Sequence, residues 1–157
     1  MPRIDRLSER HIELLQEASL AVLSTLLPDG SPHATPVWID VEPDGSHILV
    51  NSPVGHIKTK NVDRDPRVAL TIVDPTNSYR ACSVRGIVGE KVGPNQASID
   101  HINMLSKKYT GRDQYVSPEG ETRVIMRIQP THLLQWSGAR TSTGGWRALQ
   151  EGAQPSS

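Results

Sequence analysis

Two apolar runs, Ile48-Leu49-Val50 and Val68-Ala69-Leu70-Thr71-Ile72-Val73, enclose one short polar stretch, residues 55–67, which reads GHIKTKNVDRDPR. That spacing leaves room for a loop and a helix of about two turns, so the segment reads as strand, loop, short helix, strand. Asn51-Ser52-Pro53 ends the first run and Gly55 opens the helix. Asp65-Pro66 closes it, because a residue before proline is pushed out of the helical region. Lys58 and Asn61 are three apart and share one helix face. The free N–H groups of a helix start favour an anion, and basic side chains in the first turn add to that. Two readings stay open: a phosphate cradle for a cofactor, or a solvated basic helix between two strands.

The rest of the chain reads mainly as strands. Phenylalanine is absent, and glycine and proline number 12 each, so the core must be aliphatic and the turns frequent. Ser8 is a candidate cap for a helix over residues 9–16 that buries Ile12, Leu15 and Leu14. A strand over 19–26 and another over 33–41 form a hairpin around Pro28-Asp29-Gly30-Ser31. Pro43-Asp44-Gly45 turns the chain into a third strand, 47–51. Strand four spans 67–73 and a long fifth strand 79–92, with Gly86 and Gly89 marking a bulge. A helix after Pro94-Asn95 carries Ile99, Ile102, Leu105 and Tyr109 at helical spacing and ends at Gly111. The last clear strand covers 122–128, and 130–136 prolongs it after a break. About six antiparallel strands with hairpin turns and a few short helices make a closed or partly closed barrel. The domain is expected over residues 1–136, with 137–157 a C-terminal tail, partly disordered at 151–157.

Composition removes several classes of function. Net formal charge is zero, so nothing attracts nucleic acid or an anionic membrane in bulk. No apolar run reaches membrane-spanning length, and the charged N-terminus lacks a signal-peptide core. Cys82 is the single cysteine, which points to a reducing, cytoplasmic location. His11, His33, His47, His56, His101 and His132 show no metal-ligand spacing, so no metal site is expected. There is no G-x-S-x-G elbow, Walker loop or G-x-G-x-x-G. The chain supplies no obvious reactive group, and a cofactor is expected to carry any chemistry.

Pro36 is the oddity of the second strand. Proline cannot donate to a ladder and belongs at an edge, where Pro36, Val37 and Trp38 can meet a ligand. Trp38 offers a flat face for a ring or, alternatively, a core anchor.

Taken together, Lys58-Thr59-Lys60-Asn61-Val62-Asp63-Arg64-Asp65-Pro66-Arg67, the preceding hairpin and strand, and Ser78-Tyr79 beyond the next strand resemble the pyridoxamine-5′-phosphate-oxidase-like split β-barrel proteins. The likeness covers roughly residues 8–136 and is closest to deazaflavin-dependent oxidoreductases of the B type, which use coenzyme F420. The resemblance implies an FMN-binding split-barrel fold and a homodimer with cofactor sites at the interface. It places the cofactor ring against Pro36, Val37, Trp38, Val50 and Asn51. Lys58, His56 and Asn61 hold its phosphate part, and Tyr79 and Arg80 come from the second subunit. Trp136 and Trp146-Arg147 close the site from the C-terminal side. The implied reaction is hydride transfer between reduced deazaflavin and an unsaturated or quinone-like small molecule. No catalytic residue is assigned; Tyr79 is a proton-donor candidate by position alone, and solvent is the alternative. FMN-using oxidases of this group carry basic residues along the strand that meets the flavin phosphate. Here that strand, HATPVWI over 33–39, has no Arg or Lys, which favours the deazaflavin over the alternative FMN. An FMN-dependent oxidase and a non-catalytic F420- or flavin-binding protein are the other readings.

Overall fold

The computed structural model describes residues 1–140 and 146–149, with side chains through residue 135. Its elements are α1 (Glu9–Gln16), β1 (Leu20–Leu26), β2 (Pro32–Val37), β3 (Asp40–Val41), β4 (Ile48–Pro53), α2 (Ile57–Arg64), β5 (Arg67–Val73), β6 (Ala81–Val92), α3 (Gln96–Thr110), β7 (Arg123–Arg140) and β8 (Trp146–Leu149). All ladders are antiparallel. The sheet runs β2-β1-β5-β6-β7-β4-β3, with β8 added to β7. The mainly β split-barrel expectation holds, with eight strands among the described residues rather than about six.

The strand expected over 33–41 is broken. It ends at Val37, and Trp38-Ile39 leads into β3 at the opposite end of the sheet order. Three peptide units join Val37 to Asp40, so the two ends of the sheet lie within ~11 Å of each other. The sheet must therefore curl, yet its ends do not pair. Helix α3 satisfies the groups this seam leaves over. Tyr109 Oη accepts from Ile39 N–H at 3.2 Å, and Lys108 Nζ donates to the carbonyls of Ile39 and Leu15 at 2.6 and 2.5 Å.

The core inside the curl is aliphatic: Leu15, Leu23, Ile39, Ile48, Leu70, Ile72, Met126, Ile128 and Leu133 are fully buried. In α1 the buried face is His11, Leu14 and Leu15, with Ile12 only packed against its margin. Ser8 stands at the cap position, but its hydroxyl bonds His11 Nδ1 at 2.7 Å instead of a backbone N–H. In α3 an Asn95–Ser98 capping box starts the helix and Gly111, at φ 78°, ends it. Ile99, expected on the buried stripe, is exposed, because Ser98 and His101 take the inward positions beside Ile102 and Leu105.

The bulge expected near Gly86 and Gly89 is present as register shifts at Arg85/Gly86 and between Val88 and Lys91. Gly86 is required by a close approach: a Cβ there would lie 2.6 Å from Ile128 Cγ2 and 2.7 Å from the Gln129 carbonyl oxygen. That bulge lets β7 pass Pro130 without interruption, so the break expected at 129–130 does not occur. β7 also runs beyond residue 136 to Arg140 and pairs with β8. The expected disorder at 151–157 lies outside the described residues, as do the side chains of Trp136 and Trp146-Arg147.

Candidate functional site

The seam between β2 and β3 opens onto a cavity of about 540 Å³. One wall is the end of β2, Pro36-Val37-Trp38; another is the outer face of β1, Leu20 and Val22; α3 contributes Ile102 and Tyr109. β2 pairs only with β1, so Pro36 lies on an edge strand as its missing N–H demands. Trp38 is half-buried and lies outside the core cluster. Its ring stacks on Tyr109 at 5.4 Å and 5°, and meets the edge of Tyr115 at 6.0 Å and 87°. Both geometries are favoured between aromatic rings. The Tyr109 hydroxyl donates to the Ser19 carbonyl at 2.8 Å and accepts from Ile39, which fixes the ring as a platform. Its hydroxyl pKa is raised, chiefly by burial, so Tyr109 stays neutral.

The polar side of the cavity is built by Asn51, Lys58 and Arg123. Asn51 is buried at the end of β4. Its oxygen accepts from Arg123 Nε at 2.7 Å, and its nitrogen donates to the Ser98 carbonyl at 2.8 Å. Arg123 lies over the Tyr115 ring, 4.7 Å from its centroid, and pairs with Glu121 at 2.5 Å. Lys58 is half-buried. Burial pushes its pKa below the ordinary lysine value, the charge of Arg123 pushes the same way, and Glu121 opposes them. Among the described residues its ammonium makes no hydrogen bond or ion pair. A desolvated cation beside a second cation is a site that an anion stabilises.

Lys58 also borders a second cavity of about 410 Å³, shared with His33, Thr35, Gly55, His56 and Ile57. This one lies at the start of α2. The helix begins at Ile57 rather than at Gly55. His56 is its cap without a side-chain hydrogen bond, and Gly55 holds φ 85°, which glycine alone adopts freely. The first-turn N–H groups are thus uncapped by any side chain and face the anion-favouring end of the helix.

The structure brings Pro36, Val37, Trp38, Asn51 and Lys58 to one cavity and His56 to its neighbour. Val50, from the same expectation, is fully buried in the core; side chains alternate along β4, and Asn51 is the one turned to the cavity. Asn61 is on the Lys58 side of α2 in sequence, but its amide is engaged. It donates to Thr25 Oγ1 at 2.9 Å and accepts from Arg64 at 2.9 Å, which ties α2 to β1. Tyr79 and Arg80 lie in the turn before β6. Arg80 pairs with Glu17 and Asp74 at 2.9 and 3.1 Å, and neither residue lines either cavity.

Sequence reasoning missed Arg123, Tyr115 and His101, and saw Tyr109 only as helix packing. The one available signal was scarcity: the chain has three Trp, three Tyr and no Phe, and half of those rings converge here. Among the described residues no three His, Cys, Asp or Glu side chains gather as a metal site, and no helix is long and apolar enough to cross a membrane.

Comparison with known proteins gives the same architecture. Residues 7–137 match the family described as Pyridoxamine 5′-phosphate oxidase. The chain is 30% identical over 129 residues to the F420H(2)-dependent biliverdin reductase of Mycobacterium tuberculosis (strain CDC 1551 / Oshkosh), covering 82% of this chain and 88% of that protein. A solved F420 reductase aligns with a TM-score of 0.68 at 28% identity, covering 81% of this chain and 98% of its own. Rv2991, a conserved hypothetical protein of Mycobacterium tuberculosis, aligns with a TM-score of 0.66 at 26% identity, covering 92% and 98%.

Proposed function

The chain belongs to the pyridoxamine 5′-phosphate oxidase family, and from that premise we propose that it is a coenzyme F420-dependent reductase of an unsaturated or quinone-like small molecule. The observation that carries this reading is Lys58. It is a half-buried ammonium without a partner among the described residues, set between an aromatic cavity and the open start of α2. That arrangement suits a cofactor with a flat ring at one end and an anionic group at the other. The relatives that are F420-dependent reductases support the deazaflavin, and so does the absence of Lys and Arg from β2.

In this reading Trp38, braced by Tyr109, and Pro36-Val37 receive the ring. Lys58, His56 and the first-turn N–H groups of α2 hold the phosphate part. When bound, a reduced deazaflavin supplies the hydride. The chain orients it, excludes water with the Leu20, Val22 and Ile102 wall, and supplies positive charge through Lys58 and Arg123. Asn61 acts by fixing α2 to β1. Tyr109 has its hydroxyl engaged twice, so the accompanying proton comes from solvent or from a residue of a second subunit, where Tyr79 is the candidate.

We further propose a homodimer acting in the cytoplasm. Leu20 and Val22 are 61% and 41% exposed on the outer face of β1, a strand interior to the sheet, and a second copy covers them while bringing Tyr79 and Arg80 to the site. The test is steady-state oxidation of reduced F420 by a panel of quinones and conjugated enones, with sedimentation under the same conditions. Turnover of at least one acceptor by a dimer is expected. Tight F420 binding with no turnover of any acceptor would make the chain a binding protein instead.

A further inference from the structure

Behind the cavity wall runs a chain of hydrogen bonds whose polarity can be fixed atom by atom. Arg123 has only donors, so its Nε–H at 2.7 Å must meet the Asn51 oxygen. The Ser98 carbonyl only accepts, so the atom 2.8 Å from it must be the Asn51 nitrogen. The two contacts leave the amide one orientation. Its second N–H then points at His101 Nδ1, 3.2 Å away, and Nδ1 must be a bare acceptor. The ring proton therefore sits on Nε2 and donates to Asp40 Oδ2 at 3.1 Å. Asn51 and His101 are both buried, at 7% and 9% exposure.

We propose that His101 is a positioning residue for Arg123: only its neutral, Nε2-protonated ring lets Asn51 hold Arg123 in the cavity wall, and a second proton on the ring releases Arg123 and weakens the cavity's hold on an anionic ligand. This rests on the reading of the cavity as an anion-holding cofactor site. With Nδ1 protonated, two N–H groups face each other. Asn51 relieves that contact only by turning over, which sets its oxygen against the Ser98 carbonyl and its N–H against Arg123 Nε–H. Arg123 is then left with Glu121 and the Tyr115 ring.

Charged groups face the ring from several elements. From β3, Asp40 meets Nε2. Burial pushes the Asp40 carboxyl up, but the His101 hydrogen bond, the Val41 N–H and the charge of Lys108 hold it below its ordinary value, so it stays ionised. From α3, Lys108 acts on Asp40 and tempers it. From β7 and the turn before it, Arg123 and its partner Glu121 stand beyond Asn51, and the charges of both act on Lys58 of α2. Direct control lies with Asn51, because it alone contacts Nδ1.

The experiment has two parts. On the ligand-free protein, long-range ¹H–¹⁵N spectra of the His101 ring at neutral pH should show Nδ1 bare and Nε2 protonated, with a slowly exchanging Arg123 Nε–H. The opposite tautomer overturns the proposal whether or not F420 binds. The second part measures the F420 dissociation constant from about pH 8 to about pH 5, the range across which histidine charges. Wild type is compared with His101→Asn, which keeps an acceptor near the Nδ1 position and cannot take the proton, and His101→Gln, which keeps a donor toward Asp40 only. Dividing each wild-type constant by the His101→Asn constant at the same pH removes titration of F420 itself. That ratio should rise roughly ten-fold or more on acidification, the lower end of what the loss of one charge-assisted hydrogen bond costs. His101→Gln should bind more weakly than His101→Asn at every pH and lack the Arg123 Nε–H signal. A flat ratio, or equal binding by the two variants in folded protein, overturns the proposal. If F420 does not bind, the function reading fails while the spectra still decide the tautomer.

Discussion

Replacing Lys58 should move affinity and stability in opposite directions. Its ammonium is half-buried, its pKa lowered by burial and by Arg123, and no described residue pairs with it. In the ligand-free protein it is a cost, so Lys58→Ala should melt no lower than wild type. With ligand bound, the ammonium gains a charge-assisted contact of about 1.5–3 kcal/mol, or roughly ten- to a hundred-fold in affinity. The dissociation constant for F420 should rise by about that factor in Lys58→Ala. It should rise further in Lys58→Glu, which sets a second carboxylate near Glu121. Lys60→Ala should do less, since Lys60 is exposed on another part of α2. Fluorescence titration at two salt concentrations is the assay, because the Lys58 contribution must shrink as salt screens it. Equal affinities for wild type, Lys58→Ala and Lys58→Glu at low salt would mean that α2 is only a solvated surface helix, and the cofactor site would lose its anion anchor.

Other outcomes follow from the same geometry. Trp38→Ala removes the face offered to the cofactor ring; an aromatic pair is worth about 0.5–1.5 kcal/mol, so cofactor binding should weaken by roughly two- to ten-fold; unchanged binding in a variant that melts normally without ligand would reduce Trp38 to packing. Gly86→Ala forces a methyl against Ile128 and the Gln129 carbonyl and should destabilise by about 1–3 kcal/mol, read from denaturant midpoints; a midpoint equal to wild type would refute that tight approach. Lys108 has its pKa lowered from 10.5 to about 8, mainly by burial. Between those values the unfolded chain binds the extra proton, so the folded state gains stability as pH rises from about 8 and levels off near 10.5. Subtracting the stability profile of Lys108→Met from that of wild type should reveal this rise, and a difference that is level over the window would contradict it. That variant should also be weaker at neutral pH by about 1–3 kcal/mol, from the carbonyls of Leu15 and Ile39 left without a donor.

The strand pattern was legible because turn chemistry and alternation are local. Pro28-Asp29-Gly30, Pro43-Asp44-Gly45 and Asp65-Pro66 each punctuate the chain by their own φ preferences, and β5 falls on the residues expected of it. The break at Trp38-Ile39 was not legible, because it depends on Lys108 and Tyr109, remote in sequence, supplying the hydrogen bonds that a ladder would have made. The same holds for the site. Lys58 and Trp38 announce themselves by a helix start and an edge proline. Arg123 and His101 acquire meaning only through Asn51, which joins β4 to α3 and β7. Asn61 shows the converse: position in a motif does not reveal that Thr25 and Arg64 occupy its amide.

The most direct test of the account is a side-by-side titration of the ligand-free protein with F420 and with FMN. In the proposed site the helix-borne Lys58 is the anion anchor and β2 offers no Lys or Arg to a flavin phosphate, so F420 should bind at least ten-fold more tightly, a difference of about 1.4 kcal/mol. Tighter binding of FMN, or equal binding of the two, would contradict it.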